Sequence, residues 1–201
     1  MLAGLSLLGW PRGESALSIL IYHRVLPSPD ALRPGEIDAA RFEAQVAFLA
    51  RHFTLMTVSD AAAALRERRL PRRAACITFD DGYADNWTVA HPILARHGAR
   101  ATVFVATGYL NGGRMFSDTV IEFVRRVPGP VLDLAAVGMG VHPVATVEER
   151  LKAVSALQVQ LKYLAPDERE AQLRRMLAAL PVGAMPDDLM LTDAQLRQLA
   201  D

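Results

Sequence analysis

The sequence predicts an α/β fold built on a parallel sheet. Over the first hundred residues, short apolar runs typical of buried strands alternate with segments of helical periodicity. This alternation indicates crossover helices, in either a barrel or a doubly wound sheet. A length of 201 residues suits one globular domain or a large piece of one. The balance of 22 basic and 22 acidic residues argues against a protein that coats nucleic acid or an anionic membrane surface.

Four predicted strands and three predicted helices make up this first part. The strands are apolar runs, and Asp80-Asp81-Gly82 ends the third of them sharply. The predicted strands are 18–23, 53–58, 74–79 and 101–106. The first predicted helix follows Asp38 and ends near His52. The second follows Ser59 and ends at Arg69. The third runs over 86–97, and Gly98 ends it.

Beyond Met115 the pattern becomes mainly helical. A short apolar stretch at 131–144 contains glycines and predicts a small hairpin or strand pair. Two capping boxes, Thr146 with Glu149 and Thr192 with Gln195, mark helix starts. The predicted helices are 117–127, 147–163, 166–180 and one that begins after Thr192 and still runs at Asp201.

The N-terminal segment MLAGLSLLGWPRGES contains a short apolar run. The run is too short to cross a bilayer. It also lacks a preceding basic residue and a clear cleavage site, so it is a poor signal peptide. We therefore expect residues 1–17 to form an N-terminal tail and expect no transmembrane segment. A location in the bacterial cytoplasm or in the cell envelope stays open.

The clearest candidate site is Asp80-Asp81, at the end of the third predicted strand. In parallel α/β folds the carboxyl ends of the strands carry the active site. Two carboxylates there can divide the work, because one can hold a cation while the other takes a proton from water. The structural alternative is a common Asp-Gly turn in which Asp81 caps the next helix.

His23 ends the first predicted strand and belongs to the same rim if the sheet is parallel. It can serve as a proton donor or a metal ligand, or it can be a histidine bonded to the backbone. The sequence contains neither H-x-x-x-H nor H-E-x-x-H, so a full set of metal ligands is not evident. The single cysteine, Cys76, lies inside the third strand and is predicted to be a buried structural thiol.

Three segments, ILIYHRV, ITFDDGYADN and ATVFVATGYL, carry a pattern that resembles the polysaccharide deacetylases, the chitooligosaccharide-deacetylase-like carbohydrate esterases. Their order and spacing match the family as well as their letters do. The final segment MLTDAQLRQLAD is similar to the helix that, in the family, leads into the metal-binding histidines. The resemblance covers most of residues 18–114 and the last dozen, and it implies a helical insertion at about 115–190.

The resemblance implies a distorted (β/α) barrel with fewer strands than the common eight. It also implies a divalent metal, with zinc as the first candidate, and hydrolysis of N-acetyl groups of amino sugars in polysaccharides. By the match to TFDDG, Asp80 is expected to be the general base and Asp81 a metal ligand. His23 is a candidate general acid.

The H-x-x-x-H pair that normally follows the last helix in the family is absent from the sequence, as are the later family motifs. We therefore expect residues 18–201 to be a partial deacetylase domain with an incomplete ligand set and no activity alone. A non-catalytic sugar-binding remnant and an aspartate-dependent phosphatase are the alternative functions. The phosphatase is disfavoured because its carboxylates are separated by one residue, whereas these are adjacent.

Overall fold

The computed structural model describes residues 16–200, so most of the predicted tail lies outside the described residues. The strands are β1 Leu17–Tyr22, β2 Val25–Leu26, β3 Ile37–Asp38, β4 Thr54–Leu55, β5 Ala74–Phe79, β6 Ala101–Val103, β7 Val131–Leu134 and β8 Gly140–Pro143. The α-helices are α1 Ala39–His52, α2 Val58–Arg66, α3 His91–Arg96, α4 Phe116–Arg126, α5 Val147–Lys162, α6 Pro166–Ala179 and α7 Asp193–Ala200.

A four-stranded parallel sheet lies at the centre of the first half, with β5 in its middle. Strand β1 pairs with one edge of β5 over its whole length. On the other edge, β4 pairs with the first residues of β5. Strand β6 pairs with the last residues of β5 on that same edge. The predicted α/β fold with a parallel sheet is confirmed. Among residues 16–200 these four strands do not close into the expected barrel, because β1 pairs with β5 alone.

Several predicted boundaries in this half are wrong by a few residues. The second helix is capped by Thr57, whose hydroxyl accepts from the Asp60 amide, and not by Ser59. It ends at Arg66, because Arg68 adopts a left-handed φ of 53° that a helix cannot continue. The strands predicted at 53–58 and 101–106 pair over only two and three residues. The third helix starts with a π-helical turn at Asn86–Ala90.

Two large apolar clusters form most of the core of the described residues, and a smaller one lies around Ala64, Leu70 and Ala74. The first lies between one face of the sheet and helices α1 and α3, around Phe42, Ile77 and Phe79. The second joins α4, the β7–β8 hairpin, α5 and α6, around Phe123 and Leu157. The predicted hairpin is confirmed as an antiparallel pair, and the Thr146–Glu149 capping box is present. Whether the second half is an insertion stays a prediction.

Candidate functional site

The carboxyl ends of β1 and β5 place the three predicted site residues on one rim of the sheet. The strands are parallel and in register, with Tyr22 beside Phe79. His23 directly follows β1, and Asp80 directly follows β5. The Asp80 amide donates to the Tyr22 carbonyl at 2.9 Å. Asp81 follows directly. The shared rim expected from the sequence is present, and the chemical role of each residue remains to be tested.

The turn after β5 is held in an unusual backbone conformation. Asp81 and Gly82 both have positive φ, 74° and 80°. The Gly82 amide donates to the Asp80 carbonyl, and the Ala106 amide donates to the Asp81 carbonyl, each at 3.0 Å. A Cβ at Gly82 would lie 2.9 Å from Cγ1 of Val105, so only glycine fits there without displacement. Since the next helical turn begins at Asn86, Asp81 does not cap it.

The side chain of Asp81 shares its electrostatic environment with the other rim residues. Burial raises the pKa of Asp81, the His23 side chain opposes that effect, and the carboxylates of Asp80 and Asp118 raise the pKa further. The net result is a pKa above the ordinary value. Both Asp80 and Asp81 remain partly exposed, and His23 is exposed, so solvent and ligands can reach them.

Two side chains that follow the turn hold the end of β1 in place. Asp85 accepts from Nε of Arg24 at 2.7 Å and from the Val25 amide at 3.3 Å. The Asn86 side-chain amide donates to the His23 carbonyl at 3.0 Å. Asp85 and Asn86 therefore fix His23 relative to the Asp80–Asp81 turn. We call these two residues the clamp.

The sequence prediction missed the clamp. The signal for the clamp is the pair of polar residues at the end of GYADN, in the connection between β5 and the helix that follows. Both side chains are buried, at 6% and 2% exposure for Asp85 and Asn86. Buried polar groups of this kind are normally hydrogen-bonded, and here their partners lie in residues 23–25, directly after β1, although Oδ1 of Asn86 has no partner among the described residues. The pairing of two distant segments is what the sequence alone does not provide.

A buried network connects the rim to helix α4. Asp118 is 1% exposed and accepts from Nη1 of Arg33 at 2.7 Å and from the Tyr83 hydroxyl at 2.8 Å. Arg33 also reaches Glu122, with Nη2 and Oε1 3.2 Å apart. The guanidinium of Arg24 lies 4.7 Å from the centre of the Tyr83 ring. Burial and the Asp118 carboxylate together raise the pKa of Tyr83 far above the ordinary tyrosine range, so its hydroxyl stays protonated.

The segment that leads into α7 packs directly against the turn. The Leu191 amide donates to the Gly82 carbonyl and the Ala84 amide donates to the Leu189 carbonyl, each at 2.9 Å. A bridge between Tyr83 and Met190 lies between these two bonds. The predicted capping box of Thr192 and Gln195 is confirmed, with both reciprocal bonds formed. Helix α7 therefore begins beside the candidate site.

The rim residues do not amount to a complete metal site. In the part of the chain that the structure describes, no group of three or more His, Cys, Asp and Glu side chains could hold a metal ion. Catalytic zinc normally takes three protein ligands, and one or two adjacent carboxylates fall short of that. The metal expected from the resemblance therefore stays a prediction. Within the same residues, no helix is long and apolar enough to span a membrane.

Sequence comparisons relate this region to the polysaccharide deacetylase family. Residues 67–139 match the profile of the polysaccharide deacetylase family, and this stretch includes β5 and the Asp80–Asp81 turn. A relative in Bacillus subtilis (strain 168), YxkH, carries a provisional name as a polysaccharide deacetylase. It is 35% identical over 100 residues, which cover 48% of this chain and 34% of YxkH. The chain therefore spans about a third of the curated relative that it matches.

Solved structures show a weaker likeness. A de-N-acetylase from Aggregatibacter actinomycetemcomitans is 24% identical with a TM-score of 0.41, covering 47% of this chain and 38% of its own. IcaB from Ammonifex degensii is 20% identical with a TM-score of 0.45, covering 92% of this chain and 96% of its own.

Proposed function

We propose that this chain, whose residues 67–139 match the profile of the polysaccharide deacetylase family, serves the hydrolysis of N-acetyl groups on amino-sugar polysaccharides. The observation that carries the proposal is the register of β1 and β5. It brings His23, Asp80 and Asp81 to one exposed rim, and the family profile covers the two aspartates. The bond to be broken is a non-peptide carbon–nitrogen bond.

In the proposed reaction the two kinds of side chain have opposite tasks. Asp80 takes a proton from the water that attacks the acetyl carbon. His23 gives a proton to the sugar nitrogen as the carbon–nitrogen bond breaks, and the products are acetate and a free amine. The clamp matters here because a proton donor and a proton acceptor must both be held near the same bond. The bond between Asn86 and the His23 carbonyl supports that arrangement.

We further propose that Asp81 contributes one ligand to a divalent metal, with zinc as the first candidate. A metal in such a site supplies Lewis-acid stabilisation of the oxyanion. The described residues do not complete its coordination, so we derive no step through it. For the same reason we expect the 201-residue chain to bind zinc weakly and to release no acetate by itself.

The first experiment measures acetate. The purified 201-residue chain is incubated with zinc and an acetylated chitooligosaccharide, and we expect no acetate above the protein-free control. Acetate release by this chain would contradict the proposed inactivity. If the natural protein is longer, the longer protein is expected to release acetate, and Asp80→Asn is expected to lower the rate by roughly 100-fold or more. Asp167→Asn, an exposed aspartate at the start of α6, is the matched control.

A second candidate function is sugar binding without turnover. The lack of a three-ligand cluster among residues 16–200 favours it, because binding a neutral sugar needs no metal. Calorimetry on the 201-residue chain without metal tests it directly. Heat of binding with a chitooligosaccharide, together with no acetate release from a longer natural protein, would support this function, whereas no heat would count against it.

A further inference from the structure

A polar pocket opens beside the rim, on the β1 side. Its volume is about 450 Å³, within the range of about 300–1,000 Å³ that is usual for small-ligand sites. The end of β1, the loop before β3 and the first turns of α1 form its walls. Its polar lining includes Tyr22, His23, Glu36, Arg41 and Gln45. We call this the β1 pocket.

The β1 pocket combines donors and acceptors without a net charge. Glu36 provides a carboxylate and Arg41 a guanidinium, so their formal charges cancel. The other cation in the wall, Arg24, is already paired with Asp85 at 2.7 Å. A site for phosphate or another anion would need an excess of cations, and a site for an amine would need an excess of carboxylates. The mixture fits a neutral ligand rich in hydroxyl and amide groups.

Part of this lining is fixed before any ligand arrives. The Tyr22 hydroxyl donates to Oε1 of Gln45 at 2.6 Å, which orients the amide and leaves its nitrogen as the group that can donate to a ligand. The Tyr22 ring is itself held by an edge-to-face contact with Phe42, with ring centres 5.2 Å apart. Burial raises the pKa of Glu36, although Arg24 and His23 oppose it. Prearranged polar groups lose less entropy when a ligand binds.

His23 belongs both to the β1 pocket and to the rim with Asp80 and Asp81. A chain of linked sugars can therefore place one unit at the aspartates and the next in the pocket. We propose that the β1 pocket is a saccharide subsite that holds the sugar unit next to the one whose N-acetyl group is cleaved. This inference rests on the proposed function for the identity of the substrate, but its binding test does not depend on turnover.

The test is a metal-free titration of the isotope-labelled 201-residue chain with N,N′-diacetylchitobiose, followed by amide resonances. We expect shifts at the backbone amides of His23, Glu36 and Ile37. Arg41→Ala and Glu36→Gln should each weaken binding about 3- to 10-fold, the effect of one lost hydrogen bond. Arg51→Ala is the matched control, since Arg51 is an exposed arginine at the far end of α1 and should leave the affinity unchanged. Circular dichroism checks that each variant is folded.

The outcomes separate the two proposals. Shifts confined to other surfaces, or equal affinity in Arg41→Ala and the unaltered chain, would overturn the subsite. Tighter binding of inorganic phosphate at the same amides would overturn its saccharide class. If the pocket binds sugar and a longer protein releases no acetate, the subsite stands and the deacetylase proposal fails. If acetate is released without pocket shifts, the deacetylase proposal stands and the subsite fails.

Discussion

The half of the molecule built on the sheet and the helical half bury their apolar side chains in different ways. In the helical half, residues 116–179, the buried cluster surrounds Phe123, Leu157 and Met176, which have no exposed surface, and Leu32 of the sheet half also belongs to it. In the sheet half, residues 17–103, helices α1 and α3 cover one face of the sheet. The opposite side of β1 leaves Ile19 and Ile21 exposed at 51% and 63%. The half that holds the candidate site is therefore the less fully packed one.

The difference shows how the candidate site is supported. The helical half has a large core of its own. The ion pairs of Arg33 with Asp118 and Glu122 attach the loop between β2 and β3 to helix α4 of that half. We infer that the attachment through Asp118 matters more for the stability of the rim than any single contact inside the sheet. The following variants test that view, from the largest expected effect to the smallest.

Asp118→Ala should have the largest effect. It leaves the buried guanidinium of Arg33 without its 2.7 Å partner and the Tyr83 hydroxyl without an acceptor. Removing one member of a buried ion pair typically costs about 3–5 kcal/mol. Urea unfolding should show a loss of this size in the free energy of unfolding. The two halves should then unfold in two separate transitions. Asp167→Ala on exposed α6 is the control, and a loss of under about 0.5 kcal/mol in both variants would contradict the expected attachment.

Glu122→Gln should change how stability depends on pH. Burial alone would raise the pKa of Glu122, but its bonds with Arg126, Arg125 and Arg33 outweigh burial and lower it. A carboxyl with a lowered pKa in the folded state stabilises the fold above its unfolded pKa and loses that contribution as pH falls through the folded value. Melting temperatures of the unaltered chain should therefore drop on acidification below the ordinary glutamate pKa.

In Glu122→Gln this acid-induced drop should be smaller, while stability near neutral pH is already reduced. The exposed Glu148→Gln on α5 provides the control for loss of a carboxylate from a helix surface. An unchanged acid dependence in Glu122→Gln would show that the α4 attachment does not depend on this carboxylate.

Asn86→Ala should weaken the clamp. The substitution leaves the His23 carbonyl without the amide that now lies 3.0 Å away, at a cost of about 1–3 kcal/mol. Hydrogen exchange should speed up at the Asp80 amide, which donates to the carbonyl of the neighbouring Tyr22. Exchange in α5 should stay at its original rate, and faster exchange there would indicate a general loss of stability instead of a local one.

Thr57→Ala and Thr146→Ala should have the smallest effects and compare the two halves directly. Each threonine caps a helix, α2 in the sheet half and α5 in the helical half. Loss of a cap costs about 1 kcal/mol. We expect Thr57→Ala to cost more, because the Thr57 hydroxyl also donates to the Asp60 carboxylate, whereas the Thr146 amide keeps its bond to the Glu149 carboxylate when the hydroxyl is removed. A larger loss in Thr146→Ala, measured by urea unfolding, would reverse this order.

Local signals in the sequence predicted much of the fold. Caps, glycines and apolar periodicity identified β5, α1, α5 and the β7–β8 hairpin within a residue or two, because each of these signals acts through neighbours in the chain. The errors came where distant contacts decide. Val58 starts α2 and its amide donates to Thr102, 44 residues away, which no local pattern shows.

In the candidate site, too, some features were predicted from local signals and others were missed because they depend on distant contacts. The alternation of strands and helices was enough to place His23 on the same rim as Asp80, since parallel strands end at the same edge, and the structure adds that their two strands are neighbours. The clamp and the Arg33–Asp118 pair were not predicted, because each joins segments more than 60 residues apart. The contact between residues 189–191 and the turn is likewise a product of the folded chain.

Modification of Cys76 allows the transient opening of the sheet half to be measured chemically. It is the single cysteine of the sequence, it lies in the middle of β5 with no exposed surface, and burial raises its pKa, so the thiol should react slowly in the folded protein. The helical half contains no thiol. The rate of modification by a thiol reagent therefore reports transient opening of the sheet alone, and the native sequence supplies this reporter without any engineered label.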